Sequence, residues 1–268
     1  MQQKLNDFST PVLISSIEES LREFWGNWGL APQSELYDGL DMMRLHTGVP
    51  YAFCNGVICS HLSPDDIDAR INEIVSYFSA RAATWEWIVG PNSTPASLDM
   101  SLVKHGLFVH GESSGMAINL HAISPDIPSI ENLRVIPVDD DETLNIWANT
   151  MVEGFESRAL YPTFVNLECS LGFHRRSYRR YLGTLDHRPI STSALFLGKN
   201  VAGIYCVSTL PTARKLGIGA TITQYALREA QAMGYHIAVL QSSQMGCNVY
   251  KQLGFHEFST LRSYSPAK

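Results

Sequence analysis

The spacing of apolar residues changes several times along the 268-residue chain, and each change predicts an element. From Ser15 to Phe24, Ile17, Leu21 and Phe24 fall on one stripe, the spacing of an amphipathic helix. Met42–Leu45 and Tyr51–Ser60 read as strands around the turn at Gly48-Val49-Pro50. A helix follows from Ser63 to Phe78, with Ser63 as its cap, Pro64 in its first turn, and Ile67, Ile71, Ile74 and Val75 on its apolar side. Trp85–Val89 is a buried strand that stops at Gly90-Pro91. A short helix from Pro95 to His105 and two strands, Leu107–His110 and Met116–Leu120, close this part.

His121–Glu131 carries two prolines and no period, the mark of a linker. It divides the chain into residues 1–124 and 132–268. Beyond it, Leu133–Pro137 reads as a strand and Asp140–Phe155 as a helix capped within the run Asp139-Asp140-Asp141. Pro162–Arg180 reads as a second helix. Tyr181–Leu185, Ser193–Leu197 and Val201–Val207 form a meander with turns at Asp186-His187 and Gly198–Asn200. A helix from Ala220 to Met233, a buried strand Ile237–Leu240, a short helix Gly246–Leu253 and a strand Phe255–Phe258 complete the pattern. The class is α/β. The two parts also echo each other: Leu102–Phe108 and Tyr250–Phe255 both run from a short helix through a glycine into an aromatic strand.

One segment carries chemistry. The apolar run ending at Val207 enters a polar turn around Pro211, then Arg214-Lys215, then Gly217-Ile218-Gly219 at the start of a helix. Glycines there let backbone approach an anion closely. The free N–H groups and positive dipole end of the helix hold negative charge. The segment therefore predicts a site for a phosphate-bearing cofactor. A Walker loop is absent, and Ile222 stands where a dinucleotide fingerprint needs its third glycine.

Composition narrows the partners. A formal charge of −6 with 17% charged residues argues against general nucleic-acid binding. The five cysteines (54, 59, 169, 206 and 247) form no C-x-x-C pair, which points to a reducing compartment rather than a disulfide framework. No stretch has the ~20 apolar residues that span a membrane, and Met1–Asp7 lacks the apolar core of a signal peptide. The expectation is a cytoplasmic protein. The nine histidines show no metal-ligating spacing, so no metal is expected.

Arg214-x-x-Gly217-x-Gly219, preceded by Val207-x-x-x-Pro211 and followed by Tyr250-x-x-x-Gly254-Phe255, resembles the GNAT superfamily of acyl-CoA-dependent N-acyltransferases. The resemblance covers about residues 132–264. It implies a mixed central sheet with splayed parallel strands, flanked by helices. The echo in residues 1–124 implies a second, degenerate copy without the cofactor loop, since acidic Ser63-Pro64-Asp65-Asp66 stands where a phosphate would sit. Acetyl-CoA as co-substrate and an amine as acceptor are then expected, with no nucleic-acid or membrane partner.

Residue by residue, the resemblance implies that backbone groups of Val207, Ser208 and Thr209 meet the pantetheine arm. Arg214, Lys215, Leu216, Gly217, Ile218, Gly219 and Ala220 would surround the pyrophosphate. Asn248 would touch the arm, and Tyr250 would be the general acid for the leaving thiolate, whose pKa near ~8.5 lies below a phenol's ~10. No base stands out among Glu153, Glu156 and Glu168, and Ser208 or Gln241 would be a water-aligning alternative. Cys206 reads as a packed thiol. His174–Arg180 reads as a solvated basic face, or as a clamp for a carboxylate acceptor or an acidic neighbouring domain. Trp25, Trp28, Tyr37 and Trp85 are candidate walls of an acceptor pocket. A non-catalytic acyl-CoA-binding regulator is the alternative function.

Overall fold

The computed structural model describes residues 4–123, 130–172 and 177–267. Helix α1 (Thr10–Trp28) extends beyond the predicted stripe because its apolar spacing continues, burying Leu13, Ile17, Leu21, Phe24, Trp25 and Trp28. Strands β1 (Glu35–Asp38), β2 (Met43–His46) and β3 (Asn55–Ile58) follow as an antiparallel set. All four β1 residues are exposed, so no alternation marked it. Helix α2 (Ile67–Ser79) starts later than predicted, with Asp66 at the N-cap. Ser63 instead accepts the Asp65 N–H at 3.3 Å in the preceding turn. Strand β4 (Glu86–Val89) lies parallel to β3, and α3 (Leu98–Lys104) leads into β5 (Leu107–Asn119). The two short strands predicted here are one, because the polar stretch Gly111–Gly115 still finds partners in the last strand of the chain.

The second part comprises β6 (Leu133–Pro137), α4 (Asp141–Gly154), α5 (Tyr161–Leu171), β7 (Tyr178–Leu185), β8 (Arg188–Leu197) and β9 (Ala202–Thr209). Then come α6 (Ile218–Ala232), β10 (Ile237–Ser242), α7 (Gln244–Gln252) and β11 (His256–Pro266). Asp140 caps α4, accepting the Thr143 N–H at 2.7 Å. Asp186 and His187 both have positive φ, 48° and 64°, as a two-residue hairpin turn of the twist-matching type requires. The helix predicted as far as Arg180 ends at Leu171, with Gly172 at φ 69° as its C-cap. Arg179 and Arg180 lie on β7, where they point to opposite faces and cannot form a helical basic stripe. The proposed cluster's His174, Arg175 and Arg176 lie outside the described residues.

Among the described residues, eleven strands form one sheet in the order β1-β2-β3-β4-β11-β5-β10-β9-β8-β7-β6. β11 separates β4 from β5, and β5 separates β10 from β11. Each part therefore lends its last strand to the other. One core covers a single face of the shared sheet, joining Phe24 and Trp28 of α1 to Trp147 of α4, Phe164 of α5, and Phe196 and Tyr205 of the sheet. On the opposite face α6 packs Ile222, Ala226 and Leu227 against Leu240 and Phe255.

Candidate functional site

Strands β9 and β10 run parallel but pair only at Ala202↔Ala238 and Gly203↔Val239. Beyond that they diverge. The cause lies in β9, where Ser208 faces Thr192 and Tyr205 faces Ala194, leaving Cys206 and Val207 together opposite Ser193. This is a β-bulge with Cys206 at φ 50°, and it bends the strand away from its neighbour. β10 is held on its other side by β5 from Ile237 to Ser242 and cannot follow.

The N-terminus of α6 stands beyond the end of β9. Gly217 is its N-cap at φ 79°, with no side chain to satisfy the first turn. The Thr221 N–H is bonded to Gly217 O at 3.0 Å, so the amides of Ile218, Gly219 and Ala220 lack acceptors within the helix. Lys215, at φ 65°, adds a second left-handed residue to the turn, as in the concave backbone nests that bind anions. A Cβ on Gly217 would meet nothing closer than Ile130 Cδ1 at 3.7 Å, and one on Gly219 nothing closer than Thr209 Oγ1 at 3.5 Å. The space above the turn is open, and a phosphate-bearing ligand fits it.

Other sequence candidates occupy more varied places. Arg214 turns away from the loop: it donates to Glu156 Oε1 at 2.8 Å, to Gly154 O at 2.8 Å and to Thr209 O at 3.2 Å, clasping the end of α4. Lys215 and Leu216 are exposed. Ser208 is buried, with its hydroxyl 2.8 Å from that of Thr192, on a side chain committed to packing. Gln241 donates to Ile17 O at 3.0 Å and so ties α1 to the splayed strands. Asn248 is exposed on α7, outside the cavity lining.

A cavity of about 540 Å³ opens beside the splayed strands. Val207, Gln241 and Tyr250 line it on one side, and residues of α1, α4, α5 and the first part of the chain enclose the rest. Tyr250 sits on α7, whose Ser243 cap accepts the Gly246 N–H at 3.3 Å. Burial pushes its phenol pKa above the ordinary value, which keeps the hydroxyl protonated and able to donate. Cys206 also lines the cavity, but burial pushes its thiol pKa up and leaves it a weak nucleophile.

None of the three glutamates singled out from sequence lines this cavity. Glu153 pairs with exposed Arg158, and Glu156 pairs with Arg214. Glu168 is fully buried at 0% exposure against Arg180 at 1%, and also accepts from Trp28 Nε1 at 2.9 Å and Tyr178 OH at 3.3 Å. Of the four aromatic wall candidates only Trp28 reaches the cavity. Trp25 is core, Trp85 stacks on Phe78 at 4.6 Å, and Tyr37 is exposed on β1.

The cavity carboxylates, Glu86 and Glu112, and its imidazole, His110, come from β4 and β5. Sequence reasoning missed them because they are distant in the chain and meet only through the exchanged strands. It also missed a repeat: Gly56-Val57-Ile58-Cys59, at the end of β3, matches Gly203-Ile204-Tyr205-Cys206 in β9, and Cys59 has φ 51°. In the first part the corresponding divergence is closed, since Thr94 N–H bonds Ser60 O at 2.8 Å and Leu62 N–H bonds Thr94 O at 2.9 Å.

A bulged strand, its diverging parallel neighbour and an uncapped helix N-terminus together form a cleft with an anion-binding end. Residues 142–255 match the family model described as the acetyltransferase (GNAT) family. That stretch of the chain therefore carries a domain of the GNAT superfamily. A GCN5-related N-acetyltransferase from Kribbella flavida is similar in structure at 16% identity, TM-score 0.71, covering 98% of this chain and 97% of that one. A GCN5-related N-acetyltransferase from Sphaerobacter thermophilus gives 12% identity, TM-score 0.65, and coverage of 94% and 90%. A tandem GNAT protein from the clavulanic acid biosynthesis pathway gives 13%, 0.60, and 99% of both chains. At such identities these likenesses establish the fold along the whole chain. A comparison with curated proteins finds none that matches. Among the described residues no helix is long and apolar enough to cross a membrane, and no group of three or more His, Cys, Asp or Glu could hold a metal ion.

Proposed function

We propose that this chain is an N-acetyltransferase that moves an acetyl group from acetyl-CoA to a primary amine. Residues 132–268 would form its catalytic part, and residues 1–124 would form a degenerate copy that completes the acceptor pocket. The observation that carries this reading is convergence. The β9 bulge and the protonated Tyr250 hydroxyl line one cavity, and the uncapped α6 N-terminus follows β9 in the chain. The amides of Ile218, Gly219 and Ala220 would hold the pyrophosphate, with Lys215 adding charge. The exposed backbone edge of Val207–Thr209 would pair with the pantetheine amides as an added strand does.

Bound there, acetyl-CoA supplies an activated acyl group. The ammonium form of the acceptor must lose one proton before its lone pair can form the C–N bond. The C–S bond breaks with its electron pair on sulfur, and Tyr250 donates a proton to that sulfur. The nitrogen's second surplus proton restores the phenol, so one proton is released per amide formed.

Thiol release from acetyl-CoA across an amine panel tests the reading. At least one primary amine should release coenzyme A, and Tyr250→Phe should slow that release about 100-fold or more, a general acid being worth typically ~10²–10⁴. Tight acetyl-CoA binding with no thiol released by any amine would leave a non-catalytic acyl-CoA-binding protein instead.

A further inference from the structure

The cavity presents an asymmetric set of charges. Its described lining contains no lysine or arginine, whereas it includes Glu86, Glu112 and His110, with Glu86 and His110 in contact. Glu86 is 6% exposed and its Oε2 lies 3.1 Å from His110 Nε2, while His110 is 41% exposed. The remaining wall is apolar and aromatic, with Trp28, Phe53, Met151, Phe155 and Phe164 around it. A buried carboxylate needs a cationic or hydrogen-bonding partner, and an imidazole alone leaves acceptor sites on it unfilled.

We propose that the Glu86–His110 pair anchors the ammonium group of a small, mostly apolar primary amine that carries no carboxylate, and takes up the proton which that ammonium must lose. This rests on the acetyltransferase reading above and names its acceptor class. An arylalkyl or alkyl amine satisfies both ends of the cavity. An amino acid brings a carboxylate that finds no lysine or arginine in the described lining and is repelled by Glu86. The anchor belongs to the first part of the chain, so the part without an open cofactor cleft supplies the recognition group to the part with one.

The pair also gives recognition a pH dependence with a defined sign. The hydrogen bond to Glu86 raises the His110 pKa above its ordinary 6.5. Below that raised value His110 is a cation, already neutralises Glu86 and repels the incoming ammonium. Above it the carboxylate is free for the ammonium. The other titratable groups around the cavity oppose this little. Tyr51 and Cys54 beside β3, Cys206 on β9 and Tyr250 on α7 all have pKa values pushed up by burial and stay neutral. Glu112 on β5 is bonded by Arg262 Nε at 3.3 Å.

Calorimetric titration of protein saturated with coenzyme A tests this without turnover. The probes are benzylamine, 2-phenylethylamine, hexylamine, phenylalanine and an acetylatable lysine peptide. At least one of the three simple amines should bind ten-fold or more tightly than phenylalanine and the peptide. Glu86→Gln should weaken that amine ten-fold or more while coenzyme A affinity and the unfolding midpoint hold. Wild-type affinity should rise from pH 6 to 8, and His110→Asn should flatten the rise. The wild-type pH series and probe ranking need no variant to fold. Preference for phenylalanine or the peptide, no binding by any simple amine, an unaffected Glu86→Gln, or affinity falling with pH would each overturn the proposal. If one of those disfavoured amines nonetheless releases thiol, the acetyltransferase reading stands and only this inference falls. Failure of coenzyme A itself to bind would remove the underlying reading.

Discussion

Replacing Glu168 by Gln should destabilise the protein strongly, although it changes one atom's identity and little volume. Glu168 takes three donors in a dry interior: Arg180 Nε at 2.7 Å, Trp28 Nε1 at 2.9 Å and Tyr178 OH at 3.3 Å. The amide nitrogen of glutamine would face either the Arg180 guanidinium or the Trp28 indole N–H, a donor in both orientations, and Arg180 would keep a buried charge with no counter-ion. Removing one partner of a buried pair costs about 3–5 kcal/mol. At roughly 2–4 °C per kcal/mol for a chain near this size, the midpoint should fall by about 6–20 °C. Urea unfolding and thermal melts, each monitored by circular dichroism and tryptophan fluorescence, measure both quantities. The double variant Glu168→Leu/Arg180→Met should recover most of the loss, because an apolar pair of similar volume removes the desolvation cost with the attraction. A loss below about 1 kcal/mol for Glu168→Gln would refute the argument, since that is the range of a solvent-screened surface pair. So would a double variant less stable than the single one. The pair joins α5 to α1 and β7, and thereby holds Trp28 and Phe164 in the cavity wall.

Glu18 offers a pH test. Burial raises its pKa above 4.5, partly countered by the Asn92 N–H it accepts at 3.1 Å, so the folded state holds this proton more tightly than the unfolded chain does. Its favourable contribution is complete below the unfolded value and is lost as pH rises through the higher folded value. Glu18→Gln should therefore melt with wild type near pH 4 and above it at pH 7–8; a stabilisation confined to low pH would contradict the sign. At the loop, Lys215→Met should weaken coenzyme A several-fold more than Arg214→Met does. Arg214→Met should instead lower the melting midpoint by freeing the end of α4, and calorimetry beside melting curves separates the two.

Most helices and the glycine turn before α6 were legible because they depend on local chemistry. The Asp140 cap, the α6 stripe and the Gly217-Ile218-Gly219 turn each declare themselves within a few residues. The strand–helix alternation was legible for the same reason. What escaped was non-local. β5 appears as two short strands until β11 supplies partners for its polar middle, and β1 has no buried face to alternate. Arg180 looks like part of a helical basic face, and only the fold reveals Glu168 beside it. Glu86 and His110 acquire meaning together only when β4 and β5 are brought to one cavity. The Gly-x-x-Cys repeat of β3 and β9 was readable, but a four-residue match has little weight until both cysteines are seen at positive φ.

The central claim is that the β9–β10 divergence and the α6 N-terminus together bind acetyl-CoA. Calorimetric titration of acetyl-CoA into wild-type protein and Gly217→Glu tests it most directly. That substitution places a carboxylate over the first-turn amides and an L-residue at φ 79°. Single-site binding by the wild type and at least a 100-fold loss in the variant, with both proteins folded, is the predicted result. Equal affinity in the two proteins would contradict the account, because the anion cradle would then lie elsewhere.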